Sequence, residues 1–173
     1  MVIMVIMVIM VIMVMMAIIK IIIINRKMNK NFMKELNILL NVANELSLCS
    51  LKNCKDSTIK VKENKELVKL IPTVMFSSDI KEKNKLIKKI TSNQDIINNE
   101  LCIFNSCKDI YIKLLNILIP LFEKILVKSP SKEMTGMLNQ IKKLVEKDNL
   151  TKKDLINLQK HKTYLMLTLM SAK

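Results

Sequence analysis

The chain has 173 residues, with 29 Lys and Arg against 15 Asp and Glu, giving a formal net charge of +14. That length favours one domain, large enough to bury a core without needing cross-links. One Gly and three Pro are too few turn formers for a β-rich or α/β fold, so an all-α chain is expected.

The charge excludes less than it suggests. Arg26 is the only arginine, and lysine acts as a point charge where arginine reads phosphates and bases with two bonds. Aromatic residues make up 3% and Trp is absent, so nothing offers a stacking platform for single strands. The lysines are spread along the whole chain, and an alphabet rich in Lys, Asn and Ile is also what AT-rich coding produces. No nucleic-acid partner is expected. Most of the charge reads as solvated helix faces, and an anionic surface or an unknown protein remains as the partner class.

In chain order, residues 1–24 come first: MVIMVIMVIMVIMVMMAIIKIIII, with four M-V-I triplets and one charged side chain, Lys20. The stretch is long enough to cross a bilayer and would aggregate in water, so it reads as a membrane-targeting segment. It lacks the leading positive charge and small-residue cleavage site of a signal peptide, which favours an uncleaved anchor over a cleaved signal. Translation from Met15, Met16 or Met28 would leave the repeat out altogether. Arg26, Lys27 and Lys30 follow the segment, and the positive-inside rule would then put the rest in the cytoplasm.

Residues 28–173 are expected to form one antiparallel bundle of five to seven helices. Phe32, Leu36, Leu39, Leu40, Ala43 and Leu46 have helical spacing in a first helix ending near Leu48. A second is predicted from Ile59 to Ile71, stopped by Pro72. Ser78 or Asp79 caps a third with Ile80, Leu86, Ile87 and Ile90 inward, and Ser92 or Asn93 caps a fourth over residues 94–104. The apolar run DIYIKLLNILIPLFEKILVKS should be the central helix, kinked or broken at Pro120. Lys113, Glu123 and Lys124 argue against its being a membrane span. Ser131 caps a helix over 132–147 with Met134, Met137, Leu138, Ile141, Leu144 and Val145 inward. Thr151 and Asp154 have the spacing of a capping box for a last helix over 152–169.

All four cysteines fall in one repeated phrase. NELSLCSLKNCKD and NELCIFNSCKD share L-C-x4-C-K-D-x2-I-K at a constant offset of 53 residues, Cys49 matching Cys102 and Cys54 matching Cys107. A biased alphabet accounts for the shared Leu, Ile and Lys but poorly for two matched cysteine pairs, so the phrase reads as a duplicated helix–cysteine–helix unit. An even cysteine count behind a membrane-targeting segment points to disulfides and an oxidising compartment. Four cysteines allow three connectivities. A bond within one phrase, Cys49 to Cys54, needs a turn over residues 50–53, because i and i+5 on a helix are too far apart. Two antiparallel phrases would instead give the rungs Cys49–Cys107 and Cys54–Cys102, the preferred pairing, with each rung closing a long loop. C-x4-C is at the edge of zinc-knuckle spacing and has no nearby Gly. Buried free thiols are the cytosolic alternative. Neither pair is C-x-x-C, which argues against redox catalysis.

Other chemistry is thin. His161, the lone histidine, stands in LQKHKTY on an expected exposed face. Gly136 is the only glycine, so a phosphate-binding glycine loop is excluded. Glu45 and Glu100, each in an Asn-Glu-Leu triplet, and Asp56 and Asp109 could suggest acid–base work or a metal site, but read as local helix and turn residues repeated with the motif. Asn149-Leu150-Thr151 is a glycosylation sequon if the domain reaches the secretory lumen. No metal, cofactor, small-molecule substrate or catalytic residue is expected. The chain reads as a secreted or membrane-tethered helical binding protein of the secretory pathway, attached through residues 1–24 and stabilised by two disulfides. The alternatives are a lysine-rich protein active on anionic lipid and a scaffold anchored on the cytoplasmic face of a membrane.

Overall fold

A computed structural model of the chain describes residues 30–128 and 130–171. The apolar segment 1–24 lies outside the described residues, as do the side chains of Phe32, Leu36 and Ile80. Among the described residues the fold is all-α: α1 (Lys30–Asn53), α2 (Lys55–Glu63), α3 (Lys65–Phe76), α4 (Ile80–Thr91), α5 (Gln94–Ser106), α6 (Lys108–Lys128), α7 (Lys132–Val145) and α8 (Lys152–Ser171). None of these is long and apolar enough to cross a membrane.

Local chemistry explains most boundaries. Asp79 accepts from the backbone N–H groups of Lys81 and Glu82 at 2.8 and 3.3 Å, and Asn93 does the same for Asp95 and Ile96. Ser131 Oγ accepts from Met134 N–H. Thr151 and Asp154 close a reciprocal capping box, 3.1 Å one way and 3.0 Å the other, so the shorter Asp replaces the usual Glu.

Among the described residues there are eight helices where five to seven were expected, because the predicted 59–71 helix starts earlier, divides and runs on. Asn64 leaves helical geometry (φ −71°, ψ 94°), and its side chain caps α3 by accepting from Leu67 N–H. Its amide also donates to Asp95 on α5 at 2.9 Å. Pro72 does not stop the helix: α3 continues to Phe76. Pro72 is exposed, and the carbonyl it strands belongs to Val68, itself 53% exposed, where water can take the bond. Pro120 likewise sits exposed inside an unbroken α6.

One cluster of buried side chains joins the helices, from Leu39, Val42 and Leu46 through Leu115 and Leu118 to Leu158 and Leu165. The apolar α6 packs against α1, α5 and α7, but the element with the widest set of neighbours is α5, which touches α1, α2, α4, α6 and α8. It carries the second cysteine phrase.

Candidate functional site

Cys49 is bonded to Cys107 (S–S 2.07 Å, Cα–Cα 6.1 Å) and Cys54 to Cys102 (S–S 2.09 Å, Cα–Cα 5.9 Å). Residues 50–53 and 103–106 stay helical, so cysteines within a phrase point apart and only cross-phrase bonds are within reach. These are the two rungs of an antiparallel pair.

The second cysteine of each phrase is a hinge. α1 ends at Asn53 and α2 begins at Lys55; α5 ends at Ser106 and α6 begins at Lys108. Cys54 has φ −124° and ψ 29°, and Cys107 has φ −132° and ψ 33°. Each hinge N–H donates four residues back, to Ser50 and Ile103 at 2.8 Å, and each hinge carbonyl accepts four residues on, from Thr58 and Tyr111. Helical bonding therefore continues across the bend. Contacts across the pair exchange too: Cys49 Sγ lies 3.8 Å from the Ser106 carbonyl oxygen and Cys102 Sγ 3.7 Å from that of Asn53. Every one of these pairs is related by the offset of 53 residues, so the two units meet about a local pseudo-two-fold axis.

Around that axis the two halves differ. Asn99 is buried, and its Oδ1 accepts from Ser57 and Thr58 of α2 at 2.9 and 3.1 Å. Glu100, expected to be only a local helix residue of the motif, makes a long-range contact: with 16% of its side chain exposed, it accepts two bonds from the ammonium of Lys162 on α8 at 3.1 and 2.9 Å. Tyr111 Oη donates to Glu100 Oε2 at 3.0 Å and accepts from Lys162 Nζ at 2.9 Å. All three ammonium donors of Lys162 are thus used, which is how a lysine only 1% exposed is tolerated. Burial, then the charge and hydrogen bond of Glu100, hold the Tyr111 phenol well above its ordinary value. Phe104 meets the Tyr111 ring edge-on at 5.5 Å.

Sequence reading missed this triad, although a signal existed. Lys162 takes a core position in the stripe Leu155, Leu158, Lys162, Leu165, all buried. Glu45, in contrast, remains at the surface, 53% exposed and 3.8 Å from Lys113. His161 is half-buried rather than exposed; burial and the neighbouring Lys160 both lower its pKa. Asn149 is exposed in the connection from α7 to α8, and the hydroxyl of its sequon partner Thr151 is bonded to Asp154 at 2.8 Å. No group of His, Cys, Asp and Glu among the described residues is arranged to hold a metal ion.

A groove of about 470 Å³ opens beside the Cys54–Cys102 bond, lined by Lys52, Lys55, Lys60, Asp56, Asn98 and their neighbours. Among the described residues, two buried polar atoms lack a partner, Ser50 Oγ and Gln159 Oε1. Comparison with known proteins gives no match to any family model, to any curated protein or to any solved structure.

Proposed function

We propose that the chain is a non-catalytic binding protein of the secretory pathway, membrane-anchored or secreted, that acts through a rigid lysine-bearing surface on a protein or other anionic partner. Residues 1–24 would supply membrane attachment. The supporting observation is the pair of cystines across the repeated unit: nested cross-links belong to oxidising compartments, and they hold α1, α2, α5 and α6 as a preorganised frame. A preorganised surface binds with less ordering cost than a mobile one.

The test is the thiol state in the native host. Free cysteines are trapped with an alkylating agent and the intact mass is read with and without reductant. Two disulfides are expected, and the same spectrum reports whether residues 1–24 are retained. Four alkylated cysteines would refute the assignment and favour an anchored scaffold on the cytoplasmic face. Leakage of anionic liposomes would instead favour direct action on lipid.

A further inference from the structure

The pseudo-two-fold axis makes the molecule its own control. Advancing each residue of the first unit by 53 positions gives its counterpart: Lys60 maps to Lys113, Lys55 to Lys108, Asn98 to Glu45 by the reverse step, and Leu51 to Phe104. In the second unit both lysines are engaged within the molecule. Lys113 faces the Glu45 carboxylate at 3.8 Å, and Lys108 Nζ stands 5.9 Å from the centre of the Phe104 ring. In the first unit both partners are replaced. Lys60 and Asn98 line the same groove, with a neutral amide where the counterpart has a carboxylate. Lys55 has Leu51 in place of the aromatic ring. Lys52 adds a third ammonium to the lining, at a position where the second unit has Asn105.

The two aspartates of the lining do not cancel this asymmetry. Asp95 accepts from Asn64 at 2.9 Å. Asp56 has its counterpart in Asp109, four residues before Lys113 in the chain, and Glu45 still approaches that lysine at 3.8 Å, so an aspartate at this step of the motif is compatible with a carboxylate on the lysine.

We infer that the groove bounded by Lys52, Lys55, Lys60 and Asn98 is the docking site for an acidic segment of a protein partner, one of whose carboxylates takes the position that Glu45 occupies in the other unit. This rests on the binding-protein reading above and names the site and the partner chemistry. The groove's volume, about 470 Å³, suits a few side chains of a peptide, within the usual range of ligand pockets. Charge-assisted bonds from several ammonium groups would give the contact its specificity, and its association rate would fall with added salt.

The decisive variant is Asn98→Glu, which offers Lys60 the carboxylate that Glu45 offers Lys113 in the other unit. The full-length chain in neutral detergent is titrated into a fluorescein-labelled oligoglutamate peptide at low ionic strength, with anisotropy as the readout. Asn98→Glu and Lys60→Ala are each expected to weaken binding about tenfold, the scale of one lost charge-assisted contact. Lys113→Ala, the equivalent lysine of the other unit, is expected to leave binding unchanged. An unaltered helical circular dichroism spectrum and intact disulfides show that the variants fold, and Lys60→Ala carries the test if Asn98→Glu does not fold. If the parent chain binds and all three variants bind equally well, the groove is refuted while a diffuse basic surface survives. If oligoglutamate does not bind at all but vesicles containing phosphatidylserine do, the occupant is lipid and the inference falls.

Discussion

Replacing Lys162 by Met tests whether the buried triad holds α8 to the cystine frame. Met keeps the buried stem but removes three hydrogen bonds: two to Glu100 and one to Tyr111. Glu100 is left as a carboxylate with Tyr111 as its remaining donor and 16% of its side chain exposed. Removing one partner of a buried pair costs about 3–5 kcal/mol, and the partial exposure of Glu100 places this case near 3 kcal/mol. For a chain of this size, that lowers the unfolding midpoint by roughly 6–12 °C, read by far-UV circular dichroism under non-reducing conditions. The double variant Glu100→Gln with Lys162→Met removes both charges and still gives the Tyr111 hydroxyl an acceptor. It should recover all but about 1 kcal/mol, since a neutral buried pair carries no uncompensated charge. A loss below about 1 kcal/mol for the single variant, or a double variant no more stable than the single, would refute the reasoning.

Three further outcomes follow from the same structure. The bridges span 58 and 48 residues and are nested, so once one is closed the other closes only a ring of about a dozen residues. Serine replacement of either pair alone should cost about 3 kcal/mol, and of both together about 7 kcal/mol, as upper estimates from chain entropy, so the losses exceed additivity. The hydrogen bond from Lys147, then the Thr151 backbone and hydroxyl, lower the Asp154 pKa from 3.8 to about 2. A carboxylate depressed on folding stabilises above its unfolded pKa, and that contribution fades as pH falls from about 4 to about 2. Thermal melts of Asp154→Asn should therefore converge on those of the parent chain across that window; a constant gap would contradict it. Gly136 lies exposed within α7 with no atom within 4 Å of an added Cβ, so Gly136→Ala should raise stability by about 0.5–1 kcal/mol, measured by thermal unfolding.

Much of the fold can be read in the sequence because its determinants are local. Asp79, Asn93, Ser131 and Thr151 cap the helices they precede, a matter of four or five consecutive residues. The buried faces of α6 and α7 follow from the spacing of Leu115, Leu118, Phe122, Leu138 and Ile141. The repeated cysteine phrase was visible in the same way, as was the geometric reason that its cysteines bond across units rather than within one. What only the tertiary structure decided depends on residues distant in sequence. Asn64 divides α2 from α3 while donating to Asp95, a partner 31 positions away. Pro72 remains inside α3 because the face it disturbs is turned to solvent, which no local pattern specifies. Glu100 and Glu45 stand in the same Asn-Glu-Leu triplet, yet one meets a buried lysine 62 positions away and the other a surface lysine on α6. Identical short sequences acquire opposite electrostatic environments because desolvation and charge pairing are set by what packs against a side chain.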